Sequence, residues 1–188
     1  MKFSKNLFNQ FKRQTIENIQ NVKDKEIQKL FDKLNIIKKK NKKILIFGNG
    51  AGQSIADHFS VDITKNAKIK SLTFSSDNHL TCYANDYGYE KSIVKTIENY
   101  AEKQDLIILI SASGNSENMV KAAKFCNKKK LTFFSITGFE KKSKLKKISR
   151  NNIFVNSKSF NIVEIVHLYI LIQIVDLMKG KLIYSNKS

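Results

Sequence analysis

The chain has 188 residues, 41% of them hydrophobic, enough for one domain with a packed core and too apolar for a disordered segment. Lysine and arginine outnumber aspartate and glutamate by 34 to 16, a net charge of +18, but the lysines are scattered and accompany a complete lack of proline and tryptophan. We read this as compositional bias and not as a nucleic-acid surface, although such a field still draws anionic substrates.

Residues 1–40 carry apolar residues mostly at three- and four-residue steps: Phe8, Phe11, Ile16 and Ile19, then Ile27, Leu30, Phe31, Leu34 and Ile37. That spacing predicts two helices, each with a stripe that needs a partner surface. The first twenty residues hold no apolar signal-peptide core. The pattern then changes to short continuous apolar runs at 44–47, 71–74, 106–110, 131–136 and 152–155, separated by helical patterns at 54–65, 90–101 and 116–127. Unbroken apolar runs are what strands look like when both faces of a parallel sheet are covered. Their alternation with helices predicts an α/β fold: three layers, doubly wound, with a five-stranded parallel sheet. A last helix is expected over 162–178, where Glu164, His167, Gln173 and Asp176 interrupt the apolar run, so no membrane span is expected. We expect residues 1–40 to be a helical extension of the same domain, 41–180 to be the domain proper and 181–188 to be a tail. Cys82 and Cys126 lack metal-type spacing, which suits a reducing cytoplasm.

In parallel sheets ligands bind beyond the carboxyl ends of the strands. Two such ends stand out. Ser111-Ala112-Ser113-Gly114-Asn115-Ser116 lies between a strand and a helix start. Its serines supply donors without bulk, the glycine permits a tight turn, and a helix N-terminus adds free N–H groups and positive dipole, as a phosphate requires. The alternative is that Ser116 merely caps the helix while Ser111 and Ser113 shape a turn. The second loop, Gly48-Asn49-Gly50-Ala51-Gly52, also runs into a helix. It has GxGxG and not GxGxxG spacing, and no acidic residue ends the second strand, so no nucleotide is expected there.

Together these loops resemble the sugar isomerase (SIS) family, in particular its phosphoheptose isomerases. Residues 48–52 are similar to that family's GNGGS loop, with Ala51 and Gly52 as departures. Residues 84–89, Ala-Asn-Asp-Tyr-Gly-Tyr, resemble its NDFGF segment, residues 111–116 its STSGNS loop, and Thr137-Gly138 its TG pair. The resemblance spans about 40–180 and implies a SIS-type, flavodoxin-like sheet. It also implies a phosphorylated-sugar substrate with Ser111, Ser113 and Ser116 on the phosphate and Asn49, Gly50 and Asp86 on the sugar. The implied reaction converts a ketose phosphate into an aldose phosphate through an enediol, which needs a base and an acid. The implied assembly is a homotetramer.

His58 and Asp62 are four apart and share a helix face. The resemblance makes His58 a metal ligand and Asp62 the base, where the family has glutamate. Glu164 and His167, three apart, share a face of the last helix. Counted without gaps from Ser111, Glu164 falls on a glutamine metal ligand of the family, and the family's catalytic histidine falls on Ile172. Anchored on the run 170–173, that histidine falls on Tyr169. His167 or Glu164 is then the nearby candidate acid. Some family members bind zinc, so His58, Asp62 and Glu164 are the implied zinc ligands. His79, beside Asp77 and Asn78, reads as a turn residue. The expected function is a sedoheptulose 7-phosphate isomerase. The alternatives are an isomerase of another sugar phosphate and a non-catalytic relative that binds a sugar phosphate or a replication initiator.

Overall fold

The computed structural model describes residues 2–182. Two helices open the chain, α1 (Lys5–Gln20) and α2 (Asp24–Lys39). Five parallel strands follow, β1 (Ile44–Phe47), β2 (Ser71–Leu72), β3 (Leu106–Ser111), β4 (Thr132–Thr137) and β5 (Asn152–Phe154), in the spatial order β2-β1-β3-β4-β5. Between and after them lie α3 (Ala51–Ala67), α4 (Asp77–Tyr87), α5 (Tyr89–Tyr100), α6 (Glu117–Lys129), α7 (Lys144–Ile148) and α8 (Phe160–Lys179). The tail expected from 181 falls outside the described residues beyond Leu182.

The sheet divides the core because successive strand side chains point to opposite faces. Ile44, Ile46, Leu106, Ile108, Ile110, Phe134 and Ile136 meet α2, α3 and α8 on one face. Leu45, Phe47, Ile107, Leu109 and Phe133 meet α5, α6 and α7 on the other. α8 is long and apolar enough by length and composition to cross a membrane, but eight of its residues, His167 among them, are buried within this core. It is the central helix of one layer. α1 packs on α8 yet buries no residue completely, leaving Leu7, Phe8 and Ile16 exposed.

Two expectations need correction. His79 is not in a turn: Ser76 caps α4 by accepting from the His79 N–H, and His79 stands on the first turn of that helix. The second strand is a two-residue edge pairing at 71–72, not 71–74, since Phe74 leaves the ladder to stack on Phe47.

In this strand order the chain turns to opposite sides from β1 and β3, so their carboxyl ends flank a crevice. Both loops singled out by the sequence leave from those two ends.

Candidate functional site

The first wall of the site is the loop after β3. Gly114 has φ +64, and a Cβ there would lie 2.4 Å from Ser143 Oγ, so the position admits glycine alone without a shift. The Gly114 N–H donates to the Ser111 carbonyl and hydroxyl, both at 3.2 Å, and the Asn115 N–H donates to Ser113 Oγ at 3.2 Å. From outside, the Leu145 N–H donates to the Gly114 carbonyl and the Lys144 N–H to Asn115 Oδ1. The loop is therefore held before any ligand arrives. Ser116 takes the N-cap position of α6 but makes no side-chain capping bond. Its hydroxyl, 3.5 Å from Ser111 Oγ, is free for another acceptor. The Ser116 side chain therefore does not cap α6 in this structure.

The second wall is the loop after β1. Gly48 is required, since a Cβ there would fall 2.1 Å from the Gly52 carbonyl carbon. Asn49 leaves this loop to exchange hydrogen bonds with Asn118 on α6, at 3.0 and 2.9 Å, and accepts from Tyr89 Oη at 2.9 Å. Asn118 and Tyr89 escaped the sequence reading. In the sequence Tyr89 stands out only as the end of the NDFGF-like segment, and no local pattern links positions 40 and 69 residues apart.

The third wall is α8. Glu164 and His167 line, with Asn49, Gly52, Ser111, Ser113, Ser116 and Phe160, a cavity of about 110 Å³. His167 is fully buried, and neither ring nitrogen has a hydrogen-bond partner among the described residues. Burial pushes its pKa down to about 4, which the nearby Thr137 backbone offsets only in part. At neutral pH it is an uncharged imidazole, able to donate one N–H and accept at the other nitrogen. No lysine or arginine lines the cavity among the described residues. An anion here would be held by hydroxyls, N–H groups and the α6 dipole, with the +18 charge acting only as a distant field.

The remaining candidates stand elsewhere. His58 and Asp62 pair with each other at 3.1 Å on α3, half-exposed and partly exposed respectively, and line no described cavity. Asp86, near the end of α4, accepts from Asn85 Nδ2 and Cys82 Sγ and lines no described cavity. Gly50 lines a second cavity, also of about 110 Å³, that shares Asn49 with the first and is walled by Phe47, Phe74, His79, Tyr83 and Tyr89. His79 stacks on Tyr83 at 4.1 Å and shares a hydrogen bond with Thr96 at 2.9 Å, and burial lowers its pKa. Among the described residues of one chain, no three His, Cys, Asp or Glu side chains converge as metal ligands. The implied set of His58, Asp62 and Glu164 does not assemble within one chain.

A family model described as SIS domain matches residues 8–138. The phosphoheptose isomerase of Fusobacterium nucleatum is 34% identical over 152 residues, 78% of each chain. That of Helicobacter pylori strain P12 is 31% identical over 150 residues, 77% of this chain and 78% of the relative. The solved structure of phosphoheptose isomerase GmhA from Neisseria gonorrhoeae matches the fold with a TM-score of 0.81, covering 91% of this chain and 94% of that one at 21% identity.

Proposed function

The chain belongs to the SIS domain family and, within it, to the phosphoheptose isomerases, and we propose that it converts sedoheptulose 7-phosphate into D-glycero-D-manno-heptose 7-phosphate, a product for heptose or surface-polysaccharide synthesis. The observation that carries the chemistry is the convergence of three serines, a carboxylate and a neutral histidine on one cavity at the switch point of the sheet.

The phosphate sits against Ser111, Ser113 and Ser116 at the start of α6, which fixes the sugar chain relative to α8. Isomerisation moves a proton from C1 of the ketose to C2 of the product through an enediol. Glu164 is the carboxylate on the cavity wall, and we assign it the proton transfer at carbon. His167, uncharged at neutral pH, donates an N–H toward the substrate oxygens, as a neutral imidazole can. Asp62, the base implied by the resemblance, is outside the cavity of one chain and reaches a substrate only if a second subunit presents α3 to it. Among the described residues of one chain the implied zinc ligands do not come together, so each step is given to a protein group.

We extend the proposal to a homotetramer located in the cytoplasm. The exposed apolar residues of α1 support the assembly, and the two free cysteines support a reducing compartment. Sedimentation as a monomer would contradict the first, and recovery of the protein outside the cytoplasmic fraction the second.

The active-site assignment is tested by Glu164→Gln and Asp62→Asn assayed on sedoheptulose 7-phosphate. Loss of a general base costs about 10²–10⁴-fold in kcat. We expect that loss in Glu164→Gln, with phosphate affinity retained. The same loss confined to Asp62→Asn would move the base to α3 and make the second subunit part of the site.

A further inference from the structure

The amide of Asn49 is fixed in one orientation, and the bonds that fix it can be followed outward from the backbone. The Met119 N–H donates to Asn118 Oδ1 at 2.9 Å, so the oxygen of that amide, not its nitrogen, faces the first turn of α6. The same oxygen accepts from Asn49 Nδ2 at 3.0 Å. Asn118 Nδ2 therefore faces Asn49 Oδ1 and donates to it at 2.9 Å. Tyr89 Oη adds a second hydrogen bond to Asn49 Oδ1, also at 2.9 Å. A hydroxyl could serve either end of an amide, but here the backbone N–H of Met119 removes the ambiguity.

The inventory of Asn49 is then nearly spent. Both lone pairs of its oxygen are used, and one of its two N–H bonds points to Asn118. The other N–H has no protein acceptor among the described residues, on a side chain that lines both cavities at the switch point. Asn118 is 3% exposed, so the amide pair lies where hydrogen bonds are strong and a misdirected dipole is costly. Asparagine is also a weak helix former, and its place in α6 is explained by this contact better than by helix propensity.

Resting on the isomerase reading, we propose that Asn118 and Tyr89 are positioning residues that make Asn49 a donor-only group, whose free N–H binds the substrate's C2 oxygen. When the base removes a C1 proton, the electron pair of that C–H bond becomes the C1–C2 double bond. The carbonyl pair moves onto the C2 oxygen, which gains negative charge. A preorganised N–H stabilises that charge, whereas an amide free to turn could present its own oxygen and oppose it. The contact strengthens as the enediolate forms, so it acts on kcat more than on substrate binding.

The test is the steady-state kinetics of Tyr89→Phe and Asn118→Ala with sedoheptulose 7-phosphate, alongside calorimetric titration with inorganic phosphate. We expect kcat to fall about 10-fold in Tyr89→Phe and about 100-fold in Asn118→Ala, the range for a slightly misplaced or lost transition-state donor, with KM and phosphate affinity held within about twofold. An unchanged kcat in Tyr89→Phe would overturn the proposal. So would a fall in phosphate affinity that parallels kcat, since a merely structural role damages both. Should Asn118→Ala not fold, Tyr89→Phe, at a half-exposed position, decides alone. A wild type that binds phosphate without turnover would sink the isomerase reading and not the clamp. Side-chain amide exchange then reads the clamp directly: one slow Asn49 proton in the wild type supports it, and two fast ones overturn it.

Discussion

At the scale of single residues, Ser116 separates a capping role from a binding role. A serine whose side chain caps a helix loses about 1 kcal/mol of stability when replaced by alanine. Ser116 makes no such bond, so Ser116→Ala should leave the melting temperature almost unchanged while weakening phosphate binding about tenfold or more, the worth of one hydrogen bond to a charged group. Calorimetry and a thermal melt on the same sample check both halves. A destabilised variant with normal phosphate affinity would return Ser116 to a capping role. The serine and glycine loops were legible in the sequence because their chemistry is local, six and five residues long. Asn118 and Tyr89 were not, because their roles exist only once three elements meet.

His167 supplies a pH signature. Its folded pKa is lowered to about 4 by burial, against about 6.5 for a free imidazole. The unfolded chain therefore binds a proton that the folded chain refuses between those values. Stability should be unaffected by this group above about pH 6.5 and should fall as pH drops toward 4, by at most about 3 kcal/mol. Urea unfolding at pH 7.5 and pH 5 measures the loss, and His167→Leu should reduce it, leaving the part that His79, whose pKa burial also lowers, contributes. A slope undiminished by the substitution would place the titration elsewhere.

At the scale of elements, the apolar runs of β1, β3 and β4 were plain because both faces of each are buried. α4 was missed because none of its residues is buried and no apolar stripe marks it. It is recognised only through Ser76 and the aromatic contacts of His79 and Tyr83. The start of β3 is tied to β1 by Asp105, which is fully buried: its oxygens accept from the Lys43 N–H at 3.1 Å and the Glu102 N–H at 2.8 Å, and it pairs with Lys43 Nζ at 2.8 Å. Without Asp105, Lys43 keeps Glu102 as a partner at 3.2 Å, but the Lys43 and Glu102 N–H groups lose their buried acceptor. We expect Asp105→Ala to cost about 3 kcal/mol in urea unfolding. A loss under about 1 kcal/mol would show that the strand ends do not depend on it.

At the scale of the whole molecule, the alternation of strands and helices announced a doubly wound sheet, but strand order is a property of packing that no local pattern records. The order β2-β1-β3-β4-β5 is what brings two loops about sixty residues apart to one crevice. The same holds for the catalytic set. Glu164 and His167 share a face by spacing, yet only the packing of α8 against α3 puts them beside the serines. His58 and Asp62 share a face as well and end on the outside of one chain. This crevice is proposed to isomerise sedoheptulose 7-phosphate through an enediol. The most direct measurement is nuclear magnetic resonance of the purified wild-type protein with that substrate in deuterated buffer, with and without added zinc. We expect the aldose phosphate, with solvent deuterium at C2 where the enediol was reprotonated. Bound substrate that yields no aldose under either condition would contradict it.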